Sequence, residues 1–151
     1  MTMNSSQEPN PGWFEDRTHV FPLRVYYEDT DFSGVVYHAS YLRFMERGRS
    51  EFLRLIGVRH RGLLAAAEPL VWVVRRMEID FRKPARAEDA LLVRTRFTAM
   101  EGARLHLKQS VLRDTEMLIE AGVEVCVVTL KGRPRRVPQE MRAKLDEFLT
   151  H

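Results

Sequence analysis

A single long stretch of helical periodicity, followed by four strand-like runs, leaves this chain few ways to bury its apolar surface. Tyr41, Met45, Gly48, Phe52 and Leu55 recur at three- and four-residue steps, while Arg43, Arg47, Glu51 and Arg54 fall mostly on other faces. Ser40 is placed as the N-cap and Gly57 as the stop, with Arg54 favouring the negative end of the helix dipole. These signals frame a helix of about four to five turns. Gly48 in its middle costs about 1 kcal/mol relative to alanine, which points to close approach of a sheet or a partner.

Ahead of this helix, Phe21, Leu23, Val25 and Tyr27 alternate with Pro22, Arg24, Tyr26 and Glu28, the two-residue period of a half-buried strand. Strand patterns also start at Val73, Leu91, Leu105 and Ile119, separated by Lys83-Pro84, Glu101-Gly102 and Asp114-Thr115. They read as consecutive hairpins with antiparallel pairing. Leu63 to Ala67 forms a short helix or ordered loop, and Pro138 opens a terminal helix with the stripe Met141, Leu145, Phe148 and Leu149. The order predicts an α+β protein in which an antiparallel five-stranded sheet wraps around one long central helix, with a C-terminal helix added. Such a sheet leaves strand edges open, so a homo-oligomer formed by edge pairing is expected. At 151 residues the chain fits one domain, expected over 19–151. Residues 1–18 are rich in Asn, Ser, Pro and Gly and read as a flexible extension in which Trp13-Phe14 docks locally.

Composition removes several function classes. The apolar fraction is 44% and no run is long enough to cross a bilayer; the first residues lack a basic flank followed by an apolar core. A cytoplasmic location is therefore expected. The one cysteine, Cys126, sits in a strand pattern as a small core residue. A net charge of +3 suits an anionic ligand but is too small to imply nucleic-acid binding, and no aromatics interleave the basic run Lys131 to Arg136. No glycine-rich fingerprint cradles a nucleotide, and Ser33 lacks the setting of a serine nucleophile. Asp29, Asp31, His38 and Glu46 match no closed zinc pattern, so no metal and no cofactor is expected.

The acidic break between strand and helix is the chemically distinctive segment. Asp29, Asp31 and His38 lie in irregular backbone beside a helix N-terminus, where free N–H groups can bond a developing oxyanion and a carboxylate can attack a carbonyl or activate water. Asp-Thr-Asp ahead of a glycine is equally ordinary turn composition, with both acids bonding local backbone. Turn chemistry taken alone favours that second use.

Arg24-Val25-Tyr26-Tyr27-Glu28-Asp29-Thr30-Asp31, then Gly34-Val35-Val36-Tyr37-His38-Ala39-Ser40-Tyr41, then Glu46-Arg47, resembles the signature of the Tol-Pal-associated acyl-CoA thioesterases, within the 4-hydroxybenzoyl-CoA thioesterase superfamily. Later runs at Val73 to Met77, Pro84 to Arg86 and Glu120 to Val127 extend the likeness over roughly 21 to 137. The resemblance implies the hotdog fold, dimers that pair into tetramers, and hydrolysis of acyl-CoA or acyl-carrier-protein thioesters, with association at an envelope complex. It puts the catalytic aspartate at Asp31, leaves Asp29 structural, and adds His38 and Tyr27 to the site. Asp31 acts as nucleophile or as general base; the residues leave both routes open. Since CoA carries phosphates, Arg104, Lys131, Arg133 and Arg135 are candidate substrate-binding residues, with Lys83 and Arg86 as an alternative set. Phe32-Ser33 stand where relatives have small residues, and Phe32 is expected to narrow or reshape the acyl tunnel. Two other readings use the same fold: an acyl-CoA-binding module without turnover, and a hydroxyacyl-thioester dehydratase with His38 facing Asp31.

Overall fold

The computed structural model describes residues 7–150, and the predicted helix is present as α1, Ser40–Leu55. Tyr41, Phe44, Met45, Gly48, Phe52 and Leu53 are buried along it. Leu55 shares the angular position of that stripe but is 41% exposed, whereas Phe52 and Leu53 in the same last turn are buried. Ser40 is the first helical residue and not the cap; its hydroxyl donates backward to the Asp29 carbonyl at 3.0 Å. Gly57 ends the helix as expected, with φ +86°.

Six strands form one antiparallel sheet: β1 Trp13–Glu15, β2 Thr18–Arg24, β3 Leu70–Phe81, β4 Ala90–Glu101, β5 Arg104–Arg113 and β6 Glu116–Thr129. The spatial order is β1-β2-β4-β5-β6-β3. Two expectations are corrected here. The sheet has six strands and not five, since Trp13–Glu15 pairs with Thr18–Val20. The four long strands are not all joined as hairpins, because β4 is already flanked by β2 and β5, and β3 takes the free edge of β6. A short helix, α2 (His60–Leu64), precedes β3, and α3 (Gln139–Asp146) buries Met141 and Leu145. Beyond α3, Leu149 bridges to Phe97 and the Thr150 N–H donates to the Phe97 carbonyl at 2.9 Å. Among the described residues no helix is long and apolar enough to cross a membrane.

Part of the expected flexible extension, residues 1–6, lies outside the described residues. The remainder is tied down from about Pro11. Phe14 packs edge-on against Phe52 at 5.0 Å and lies 4.8 Å from Phe148. His19 is fully buried with Nε2 2.7 Å from the Pro11 carbonyl, and its Nδ1 has no partner among the described residues. The Nε2–H therefore donates to Pro11, and the ring is held neutral because burial pushes its pKa below the usual histidine value.

Where α1 crosses the sheet, Gln109 fills the inner face. Its Nε2 donates to the Met45 carbonyl at 2.9 Å and to Thr95 Oγ1 at 2.8 Å, and its Oε1 accepts from Arg49 at 2.9 Å. Every polar atom of the buried amide is thus engaged, which offsets the cost of burying it. Gly48 makes the approach possible: a Cβ there would stand 2.8 Å from Val93 Cγ1 and 3.1 Å from Thr95 Oγ1.

Two measurements follow. Gly48→Ala gains about 1 kcal/mol of helix propensity but overpacks this contact at a cost of about 1–3 kcal/mol. We expect a net loss in urea denaturation, and a gain would contradict the close approach. For His19, the unfolded chain binds a proton near pH 6.5 while the folded chain binds it only at lower pH. Stability therefore falls as pH drops through about 6.5 and levels off below the depressed folded value. The non-titrating donor in His19→Gln should flatten the thermal midpoint between about pH 7.5 and 5.5 relative to the parent chain.

Candidate active site

At the end of β2 the chain leaves the sheet with the Val25 N–H donating to the Asp89 carbonyl at 2.9 Å, then tightens into a short 3-10 turn at Tyr27–Asp29. Asp29 holds that turn. Its Oδ2 accepts from the Tyr26 N–H at 2.8 Å, and its carbonyl accepts from the Tyr37 N–H at 2.9 Å and from Ser40 Oγ. It is 7% exposed, which fits a structural acid. The next residues are closed on themselves by a bridge from Thr30 to Val36, and clamped to the β3–β4 connection by a bridge from Val35 to Arg86 and by the Val36 N–H donating to the Ala85 carbonyl at 2.8 Å. Tyr41, in the first turn of α1, accepts from the Ala85 N–H through its hydroxyl at 2.9 Å.

Asp31 rides on this clamp with its carboxylate facing outward. Its N–H donates to the Val35 carbonyl at 2.9 Å and its own carbonyl accepts from Gly34 at 3.1 Å, closing a tight loop that Gly34 enters at φ +86°. Oδ1 accepts from the Ser33 N–H at 2.8 Å and from Ser33 Oγ at 2.5 Å. Oδ2 has no partner among the described residues. The two bonds from Ser33, hydroxyl first and N–H second, lower the Asp31 pKa from the ordinary aspartate value, so the group is ionised.

His38 precedes α1 and is exposed, with its ring 4.4 Å from Tyr37 and edge-on to Phe81 at 6.3 Å. It lines a cleft of about 250 Å³ together with Tyr41, Phe81, Lys83 and Pro84. Its backbone N–H has no acceptor among the described residues, as befits a donor at the opening of a helix. Tyr27 is 88% exposed, and no hydrogen bond links Tyr27, Asp31 and His38 to one another. The three lie on one short segment as separate groups facing solvent.

The basic candidates lie elsewhere. Lys131, Arg133 and Arg135 surround a shallow cleft of about 280 Å³ with Glu68 and Thr129, and Arg135 Nε donates to Glu68 Oε1 at 2.9 Å. Arg104 is not part of it; the guanidinium lies 3.6 Å from Glu124, which also pairs with Arg75. Register shows that all four are at the end of the sheet opposite Asp31. Arg24 aligns with Ala90 at one end, whereas Thr129 aligns with Leu70 and Arg104 with Glu101 at the other. The twelve residues of β3 between those ends span about 40 Å. One chain therefore does not bring its own basic cleft to its own Asp31.

Sequence reasoning missed a cavity of about 270 Å³ between α1 and the inner face of the sheet near β3, bounded by Arg49, Leu53, Trp72, Val74, Phe97 and Leu105. Val74, Phe97 and Leu105 were legible as parts of strand patterns, but Leu53 and Trp72 lay outside the stripes, and the convergence of all five depends on β3 lying beside β6. It also missed the Ser33 contacts, for which Asp-x-Ser ahead of glycine was the available signal. Among the described residues, no three His, Cys, Asp or Glu side chains converge as metal ligands.

A six-stranded antiparallel sheet around one buried helix, with an acidic turn at the start of that helix, defines a hotdog-fold protein of the thioesterase type. The family model described as Thioesterase-like superfamily matches residues 25–145, and the chain belongs to that superfamily. It is 43% identical to the acyl-CoA thioesterase YbgC of Haemophilus influenzae over 129 residues, 85% of this chain and 94% of that protein. The probable thioesterase from Bartonella henselae superposes with a TM-score of 0.78 at 48% identity, covering 80% of this chain and 99% of that one. At 21% identity, Slr0204, a 1,4-dihydroxy-2-naphthoyl-CoA thioesterase from Synechocystis, shares the fold with a TM-score of 0.78 over 85% of this chain and 96% of its own.

The hydrogen bonds of Asp29 lead to a direct check. Asp29→Ala removes the acceptor for Tyr26 and should cost about 1 kcal/mol of stability, as loss of a capping side chain does. Asp29→Asn keeps an acceptor and should recover most of it in the same denaturation series.

Proposed function

We propose that this chain is an acyl-CoA thioesterase, cleaving the thioester to a free carboxylic acid and CoA, with Asp31 as the reacting carboxylate. The activity class rests on membership of the superfamily and on 43% identity to YbgC thioesterases. The observation that carries the role of Asp31 is its free, ionised Oδ2 on the same short segment as the unpaired His38 N–H at the head of α1. The N–H and the helix dipole polarise the thioester carbonyl and receive its negative charge. In one route Asp31 attacks the carbonyl carbon, the thiolate leaves and takes up a proton, and water then opens the mixed anhydride. In the other, Asp31 takes a proton from water as that water attacks, and the proton passes to the departing sulfur. His38 and Tyr27 contact the substrate or the attacking water from the rim of the site.

The working unit is a homodimer that pairs into a tetramer. β3 offers twelve residues of open edge, and antiparallel pairing of two copies along it sets the Leu70 end of one beside the Phe81 end of the other. That arrangement would carry the basic cleft at Lys131, Arg133 and Arg135 toward the partner's acidic turn, where it would hold CoA phosphates. The cavity beside Trp72 would then receive the acyl group. Arg104, engaged with Glu124, is the weakest of the four basic candidates. We take the single domain to include the chain from about Pro11, whose carbonyl accepts from the buried His19 ring. The cytoplasmic location is carried over from the composition of the sequence, the association with an envelope complex rests on the resemblance of the Arg24 to Arg47 motif, and acyl-carrier-protein thioesters are the second substrate form to assay.

Free-thiol release across short, long and aromatic acyl-CoAs tests this reading. We expect Asp31→Asn to lower kcat by about a thousandfold while an unreactive acyl-CoA analogue still binds within a few-fold. An active Asn variant would sink the role of Asp31. A parent chain that binds every analogue and turns over none would make it an acyl-CoA-binding module.

A further inference from the structure

We infer that Ser33 is a positioning residue for the thioesterase reaction, fixing the Asp31 carboxylate so that one oxygen is tied down and the other is presented to the substrate. The inference rests on the reading of Asp31 as the reacting carboxylate.

A free aspartate on an exposed loop samples several χ1 wells and a broad χ2, and its two oxygens exchange places. Here Oδ1 is taken by two donors of the same residue, the Ser33 N–H at 2.8 Å and Oγ at 2.5 Å. A carboxylate only accepts, so the serine proton must point at Oδ1. Two donors converging on one oxygen define both χ angles, and Oδ2 is left as the oxygen without a bond among the described residues. The backbone beneath is equally constrained, by the Asp31 N–H on Val35 and the Gly34 N–H on Asp31. Asp31 is thus held in one orientation although nothing packs over it.

No other group competes for this carboxylate. The remaining ionisable residues of the segment are Tyr26, Tyr27, Glu28, Asp29, Tyr37 and His38, and the connection packed against it supplies Arg82, Lys83, Arg86, Glu88 and Asp89. Asp29 is bonded to Tyr26, Lys83 to Glu116, and Asp89 to the Arg86 N–H and to Arg113. None of the others forms an ion pair or hydrogen bond with Asp31 among the described residues. Ser33 is consequently the main source of both its orientation and its low proton affinity. Ser33 lies exposed on the surface, and the only bond its side chain makes among the described residues is to Asp31, so its hydroxyl contributes little to the fold.

The test compares Ser33→Ala, Ser33→Thr and Asp31→Asn with the parent chain on one acyl-CoA substrate. Steady-state kinetics is combined with a carbon-13 NMR titration of the Asp31 carboxylate. Ser33→Ala keeps the N–H bond and loses the hydroxyl. We expect kcat to fall about tenfold with KM within about twofold, since an orientation effect acts on the reacting geometry and not on binding. The Asp31 pKa should rise, the thermal midpoint should fall only by the small amount that this loss of pKa shift implies, and Ser33→Thr should restore kcat, pKa and midpoint together. If Asp31→Asn is inactive while Ser33→Ala matches the parent in kcat and in the Asp31 titration, the positioning role is wrong and the reading of Asp31 stands. If Asp31→Asn is itself active, both fall together. A loss in Ser33→Ala that Thr does not restore, accompanied by a lower thermal midpoint, would make Ser33 a structural residue and overturn the proposal.

Discussion

The seating of α1 against the inner face of the sheet at Gly48 is the contact on which the rest of the molecule depends. Side chains on both elements normally fill the gap between a helix and the sheet it covers. Here the missing Cβ lets Val93 and Thr95 come up against the helix backbone, and Gln109 bonds the Met45 carbonyl from the sheet side. The buried amide is tolerated because Thr95 and Arg49 complete its hydrogen bonds. A buried polar network of this kind is directional where apolar packing is not, so it pins the helix in one register along the strands. The register in turn decides where the first turn of α1 stands, and with it Tyr41, His38 and the acidic loop.

That loop is built as two acids with separate duties. Asp29 is turned inward and consumed by backbone donors, so the segment from Tyr26 to Ser40 closes on itself. Asp31 is turned outward with a single neighbour, Ser33, on one oxygen. The separation explains how one short stretch serves both as a structural turn and as a candidate reacting group. A carboxylate cannot satisfy buried N–H groups and also remain free for a substrate. The clamp of Val35 and Val36 onto Ala85 and Arg86 ties the loop to the sheet, so Asp31 moves with the rigid part of the fold and not as a free loop tip.

Much of this was legible in the residues. The helix from Ser40, the stop at Gly57, the use of Gly48 for close approach and the long strands each follow from local periods of 3.6 and 2. The resemblance ranked Asp31 above Asp29, and the hydrogen bonds of Asp29 agree with a structural duty. Other features were not legible. Leu55 has the angular position of a core residue yet is exposed, while Leu53 takes a buried place. Trp13–Glu15 carries little periodicity and became a strand because Phe14 finds Phe52 and Phe148, residues far away in sequence. Lys131, Arg133 and Arg135 are basic enough to hold phosphates, but their charge does not say which end of the sheet they occupy.

By itself, the sequence determined the order and type of the main elements and the chemistry available in the acidic turn, because both are set by residues within a few positions of one another. Only the tertiary structure decided that β3 leaves its neighbour in sequence to border β6. It also decided that the basic cleft stands at the opposite end of the sheet from the acidic turn within one chain, and that Ser33 holds one oxygen of Asp31. Strand pairing is a competition among distant segments for the same backbone edges, and its outcome follows from which edges remain unoccupied. The orientation of a single carboxylate depends on donors that converge only after the loop has been clamped to the sheet.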